Sequence, residues 1–165
     1  MRKLLAALTV LSLPFLSSCM KKKEFIYEAD CDYHEWTNMY TVKTVPNPHS
    51  GVRVSCIDST HEYSLGFSKT IANISDKKLK QVKLSYWVFI TSDKAKATSV
   101  ISIDFQGKNN YWDGRPVKGT LNTWVQVEEI FKIPENTDSN NQLSLYVWNN
   151  SKEEILIDDI NIVFK

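Results

Sequence analysis

The side chains capable of chemistry in this 165-residue chain are scattered, with one exception. His34, His49 and His61 stand apart, and no HxxxH or CxxC spacing exists to hold zinc. No GxSxG turn, phosphate loop or dinucleotide fingerprint is present. Asp30, Asp32 and Glu35 cluster before Trp36, while Glu128-Glu129 and Glu153-Glu154 are adjacent pairs. A glycosidase needs two carboxyls roughly 5 to 9.5 Å apart across a cleft. Neighbours on a strand point to opposite faces, so neither Glu pair meets that need alone, and solvated charge is the ordinary reading. The exception is Asp158-Asp159, set inside the closing run ILIDDINIVFK. A carboxylate buried unpaired costs several kcal/mol or takes up a proton, so something must compensate this one.

The start of the chain, MRKLLAALTVLSLPFLSSC, has a basic head, an apolar run from Leu4 to Leu16 and small residues before Cys19. That is an export signal, too short for the roughly 20 apolar residues that span a bilayer. Leu16-Ser17-Ser18-Cys19 resembles a bacterial lipoprotein box, which implies a signal peptide over 1–18 and an acylated (palmitate-type) Cys19 as the mature N-terminus. A tether over 19–24 then holds a domain over 25–165 within about 18 Å of the membrane. Lys21 to Lys23 can meet anionic headgroups or serve as a solvated tether. Met20, not being an aspartate, is compatible with outer-membrane sorting in a Gram-negative cell envelope.

Loss of Arg2 and Lys3 takes the formal charge from +1 to −1, a near-neutral balance that argues against a nucleic-acid partner. With Cys19 acylated, Cys31 and Cys56 remain as an even pair in an oxidising compartment. They form either a disulfide or two buried thiols, since sequence does not supply the Cα separation.

Stretches rich in Val, Ile, Tyr, Phe and Trp alternate with clusters of Asn, Asp, Ser, Gly and Lys, and no helical period survives after residue 20. The pattern predicts an all-β jelly-roll sandwich of about eight strands in two antiparallel sheets: 25–31, 51–57, 63–74, 81–91, 99–106, 124–133, 142–148 and 154–164. Alternation puts Val82, Leu84, Tyr86, Val88 and Ile90 on a core face and leaves Trp87 and Phe89 outside. Likewise Ile101, Ile103 and Phe105 point inward and Ser102, Asp104 and Gln106 outward, while Leu143, Leu145 and Val147 leave Ser144, Tyr146 and Trp148 outside. In 124–133 the inward set includes Glu129, which suggests a bulge.

The pieces SGVRVSC, EYSLGF, KLSYWVFI, NTWVQVEEIFKIP, LSLYVWN and ILIDDINIVF follow the order found in carbohydrate-binding modules of the galactose-binding-like jelly-roll superfamily. The chain resembles that family over about residues 25–165. The resemblance implies a structural calcium between the first and last strands, held by Glu28, Asp158 and, from the loop after the second strand, Asp58 with backbone oxygens. Alternation from Phe164 back through Ile162 and Ile160 turns Asp158 inward, as this requires. The other reading is that Asp158 accepts hydrogen bonds from loop amides, or pairs with a lysine, with no metal.

The resemblance also implies that the second, seventh, fourth and fifth strands share a sheet whose outer face binds sugar. Trp87, Phe89, Tyr146, Trp148, Ser102, Asp104 and Gln106 would line it, joined by Arg53 and Ser55. Sugar rings stack their C–H faces on aromatics, and their hydroxyls need polar partners of these types. The loop QGKNNYWDGRPVKG would either cover that face or, through Tyr111, Trp112, Asp113 and Arg115, wall a cleft beside it. The expected function is non-catalytic binding of a polysaccharide or oligosaccharide by a lipid-anchored envelope protein. The alternative is a structural or protein-interaction lipoprotein that uses the same sandwich to contact an envelope partner.

Overall fold

The computed structural model describes residues 24–32, 36–106 and 110–165. The expected signal peptide, Cys19 and most of the expected tether lie outside the described residues. Among the described residues ten strands form: β1 Phe25–Ala29, β2 Val42–Thr44, β3 Arg53–Ile57, β4 Phe67–Thr70, β5 Gln81–Ile90, β6 Ala97–Asp104, β7 Tyr111–Pro116, β8 Trp124–Lys132, β9 Gln142–Asn149 and β10 Ile155–Phe164. A single helical turn, α1 Ile71–Ile74, follows β4. All eight expected strands exist, six of them shortened, with β6 shifted two residues earlier and β9 one residue longer than expected. The additions are β2, three residues long, and β7, which the sequence reading assigned to a loop. The expected strand 63–74 is divided: Tyr63 makes one bridge to Trp148, and the strand proper ends at Thr70, where the chain coils into α1.

The strands make two antiparallel sheets. One has the order β2-β3-β10-β5-β8, with β1 also paired to β10; the other has the order β4-β9-β6-β7. This corrects the expected grouping of the second, seventh, fourth and fifth strands. β3 and β5 belong to the first sheet, β9 and β6 to the second, so residues expected on one face lie on opposite outer surfaces of the sandwich. Strand pattern shows which side of a strand is apolar, but not which strands are neighbours.

The core between the sheets is built by the predicted inward sets, including Val82, Leu84, Tyr86, Val88, Ile101, Ile103, Leu143, Leu145 and Val147. Tyr86 is 1 % exposed, and its hydroxyl is satisfied by that of Ser99 at 2.6 Å. β8 pairs with β5 without a break in register, so no bulge explains Glu129. It faces inward on an edge strand and reaches water through the open side of the sandwich, half-buried.

Cys31 and Cys56 are both free. Cys31 belongs to the main core, whereas Cys56 belongs to a small second cluster with Val54 and Leu156 on the outer side of the first sheet. A sheet separates them, which excludes the bond. Burial pushes the Cys31 thiol up to about 12 and that of Cys56 to about 11.

Candidate functional site

The outer face of the four-stranded sheet is half-exposed: Asp104, Trp112 and Pro116 meet solvent, whereas Val100 is 0 % exposed. Pairing of β6 with β9 sets Thr98 beside Trp148, Val100 beside Tyr146, Ser102 beside Ser144 and Asp104 beside Gln142, all turned away from the core. Trp112, Gly114 and Pro116 of β7 pair with Ser102, Val100 and Thr98, and Ser68 and Thr70 of β4 with Ser144 and Gln142. Two bands therefore run across the strands. One carries the hydroxyls of Ser102, Ser144 and Ser68, the other Gly114, Val100 and Tyr146.

Trp112 lies over its neighbour Gly114. A Cβ on Gly114 would overlap Trp112 Cη2 and stand 2.8 Å from Thr98 Cγ2, so only glycine lets the indole settle onto the sheet. The ring remains 52 % exposed. Two strands away, about 10 Å across the sheet, Tyr146 meets Tyr63 edge-on with centroids 5.5 Å apart. Tyr63, 42 % exposed, also bridges Trp148. In the hydroxyl band, Ser68 and Ser144 are 2.8 Å apart and Gln142 Nε2 donates to Ser68 Oγ at 2.8 Å. At the strand end, Gln106 N–H donates to Asp104 Oδ1, and Gln106 Nε2 donates to the Asn140 carbonyl at 3.4 Å. Of the outward residues on these four strands, only Asp104 is a carboxylate.

The other expected binding residues lie elsewhere. Trp87 and Phe89 are on the outer side of the six-stranded sheet, beneath the segment 45–52. His49 stacks on Trp87 at 3.9 Å, Trp124 Nε1 donates to the Asn47 carbonyl at 3.2 Å, and Phe89 packs on Trp124. Phe89 and Trp124 join Val45, Val54, Cys56 and Leu156 in the small second core. A loop does cover these aromatics, but it is 45–52 and not 106–119. Ser55, expected outside, is fully buried and binds the Thr41 hydroxyl and the Leu65 N–H. Arg53 shares its parity at the exposed start of β3, opposite Thr44. Tyr111, Asp113 and Arg115 face inward at the sheet's edge. There Arg115 pairs with Asp113 and lies 5.6 Å over the Phe131 ring.

The double aspartate holds the covering segment in place. β10 is irregular between Asp158 and Asn161, and Asp159 takes a left-handed φ of 47°. This extra residue reverses the alternation. Ile157 and Ile160 both face the core, and Asp158, paired with Trp87, turns to the outer side. The expected inward direction of Asp158 is thereby corrected. It is nonetheless 0 % exposed, because the segment lies over it. The His49 and Ser50 N–H groups donate to its Oδ2 at 3.0 Å each, and the Asp159 N–H to its Oδ1 at 2.9 Å. Burial raises its carboxyl above the usual range against the pull of these amides. Asp159 binds His49 Nδ1 at 2.5 Å and the Ser50 hydroxyl at 2.6 Å. Gly51 has a φ of 55°, and the Asp32 carboxylate, which accepts the Val52 N–H, fills the place of its missing Cβ.

The expected calcium donors do not converge. Glu28 accepts from Asn161 at 2.8 Å, Asp158 is occupied by amides, and Asp58 lies at the far end of β3, 3.2 Å from Lys43. Although its burial works the other way, the Thr60 and His61 amides and Lys43 bring Asp58 down to about 2. Among the described residues no group of three or more His, Cys, Asp or Glu side chains is placed to hold a metal ion.

The sequence reading missed Tyr63, Ser68 and Gln142 on the half-exposed face, and His49 and Trp124 over the closed one. Outward alternation in 142–148 was the available signal for Gln142. Nothing in sequence ties Tyr63 to Tyr146 or His49 to Trp87.

No family model matches the chain, and no curated protein matches it. Among solved structures it is similar to the CBM22-2 xylan-binding domain of Paenibacillus barcinonensis Xyn10C, with a TM-score of 0.59 and 15 % identity over 84 % of this chain and 99 % of that one. The CBM22-1 xylan-binding domain of the same protein gives a TM-score of 0.55 and 18 % identity over 84 % and 92 %. CBM35 from Cellvibrio japonicus Abf62 gives 0.51 and 10 % over 83 % and 91 %. At such identities the likeness establishes the fold, the jelly-roll sandwich of these carbohydrate-binding modules.

Proposed function

We propose that the chain binds a neutral polysaccharide or oligosaccharide on the outer face of its four-stranded sheet, without cleaving it, as a lipid-anchored protein of the bacterial envelope. The observation that carries this reading is the pairing of two bands on a half-exposed outer surface. Aromatic rings at Trp112, Tyr146, Tyr63 and Trp148 lie next to the hydroxyls and amide of Ser102, Ser144, Ser68 and Gln142. Rings provide stacking for the C–H faces of sugars, and the neighbouring polar band provides partners for their hydroxyls. The face carries one carboxylate, which favours an uncharged chain and falls short of the pair that glycoside hydrolysis uses. Two domains of one protein that share this fold are described as xylan-binding, which makes xylan the first ligand to try.

Affinity electrophoresis in gels containing xylan, β-glucan or mannan tests this directly. Retardation by one polymer is expected, with Trp112→Ala and Tyr146→Ala each weakening it by about tenfold, the equivalent of about 1.4 kcal/mol of lost stacking. Retardation that survives the double substitution refutes the assignment of the face. No retardation by any polymer, with a stable protein partner in pull-downs, favours the protein-interaction alternative.

A further inference from the structure

The end of the sandwich at which the described chain begins has a surface that glycan binding does not use. β1 starts beside the end of β10, where Glu24 pairs with Lys165 at 3.0 Å and the Lys165 carbonyl accepts the Lys80 N–H at 2.8 Å. Around this corner lie two adjoining depressions of about 290 and 470 Å³ that share Lys78, Leu79 and Ile133. Their rims carry Lys77, Lys78, Lys80 and Lys132, all exposed, against Asp76, Asp138 and Glu135, while their floor is the apolar Leu79 and Ile133. Thr137 Oγ1 lines the smaller depression, buried and without a hydrogen-bond partner. On the adjacent outer face, register sets Ile26, Val163, Lys83 and Ile130 side by side across four strands. Ile26 is 56 % exposed and Ile130 53 %.

We infer that this corner docks on a bilayer surface bearing anionic phospholipid headgroups. Two observations choose that partner. Lysines surround an apolar floor next to half-exposed isoleucines, the combination that binds interfaces by charge and shallow insertion together. The chain also enters the fold here, directly after Lys21-Lys22-Lys23, so these three basic residues precede Glu24 and lead in sequence into the surface. Each lysine near an anionic surface is worth about fivefold in affinity, with the effect screened by salt. A second copy of the chain is a poorer occupant, because a single row of four side chains, one of them charged, is small beside the roughly 800 Å² per partner of a standard interface. Docking this corner leaves the Trp112 face free, and the inference stands or falls separately from glycan binding.

The test is lysine acetylation of the full chain, read by mass spectrometry, on phosphatidylglycerol vesicles and on phosphatidylcholine vesicles. Lys118 and Lys152, near the opposite end of the sandwich, serve as internal references. On phosphatidylglycerol, labelling of Lys78, Lys80 and Lys132 is expected to slow at least threefold relative to the references, and to recover in 0.5 M salt as a screened interaction must. Lys78→Glu with Lys132→Glu should abolish the protection remaining at Lys77 and Lys80 while leaving electrophoretic retardation by glycan unchanged. Equal labelling at both ends on phosphatidylglycerol overturns the inference. So does equal protection on phosphatidylcholine, or protection that appears without vesicles and grows with protein concentration, which would identify a second copy.

Discussion

Replacing Asp158 by Ala removes the acceptor of three amide hydrogen bonds at once. Bonds to a charged acceptor contribute about 1.5 to 3 kcal/mol each, but they share one carboxylate, and water can reach the amides of a surface segment once it loosens. Release of the carboxylate's own burial cost offsets a further part. The net loss is about 3 kcal/mol, and for a domain of this size each kcal/mol lowers Tm by about 3 °C, so a fall of roughly 10 °C is expected. The loss should be local in origin. With His49 lifted from Trp87, the Trp87 and Trp124 indoles become wetter, and tryptophan emission should shift to longer wavelength at temperatures below the transition. Asp158→Asn keeps one acceptor oxygen for His49 and Ser50 and sets an amide donor against the Asp159 N–H, so it should cost about half as much. Because amides satisfy this carboxylate, chelator should leave the wild-type Tm unchanged. A D158A protein that melts within about 2 °C of wild type, or a chelator-induced fall of several degrees, would refute the reasoning, the second by revealing a cation.

Two other outcomes are open to simple measurement. Gly114→Ala should expel the Trp112 indole from the sheet and reduce glycan retardation by about tenfold, the loss of one stacking platform, with Tm changed by only a few degrees; retention of full retardation would show that the indole need not lie flat. In the full chain with Cys19→Ser, no thiol should react with a disulfide reagent in the native state and two should react in denaturant without reductant, since Cys31 and Cys56 are buried, free and raised to about 12 and about 11. Finding none in denaturant would restore the disulfide.

Alternation along single strands was the most legible feature. It assigned the core of β5, β6 and β9 correctly and put Tyr146, Trp148, Ser102 and Asp104 on an outer face. It failed where a fact belongs to two strands. Whether Trp87 shares a surface with Tyr146 depends on sheet order, which is decided by packing of the whole sandwich, and the two residues fall on opposite sides of the molecule. The resemblance supplied the fold and misassigned the sheet. Asp158 was misread for a local reason: a single left-handed residue, Asp159, is invisible to a count by twos. Trp112 was named as a loop residue beside the face, whereas β7 makes it part of the face itself.

That left-handed residue constrains how the end of this chain can vary. Upstream of it, β10 serves the small cluster under the 45–52 segment as well as the core; downstream, Ile160, Ile162 and Phe164 fill the core against β1. Deleting Asp159 would remove the extra residue, bring Asp158 and Asn161 into unbroken register with Trp87 and Ser85, and keep all three large side chains on the core side. A related sequence one residue shorter at this point would therefore fit the same core with a regular last strand, and what it would give up is the carboxylate that ties His49 and Ser50 down over the sheet.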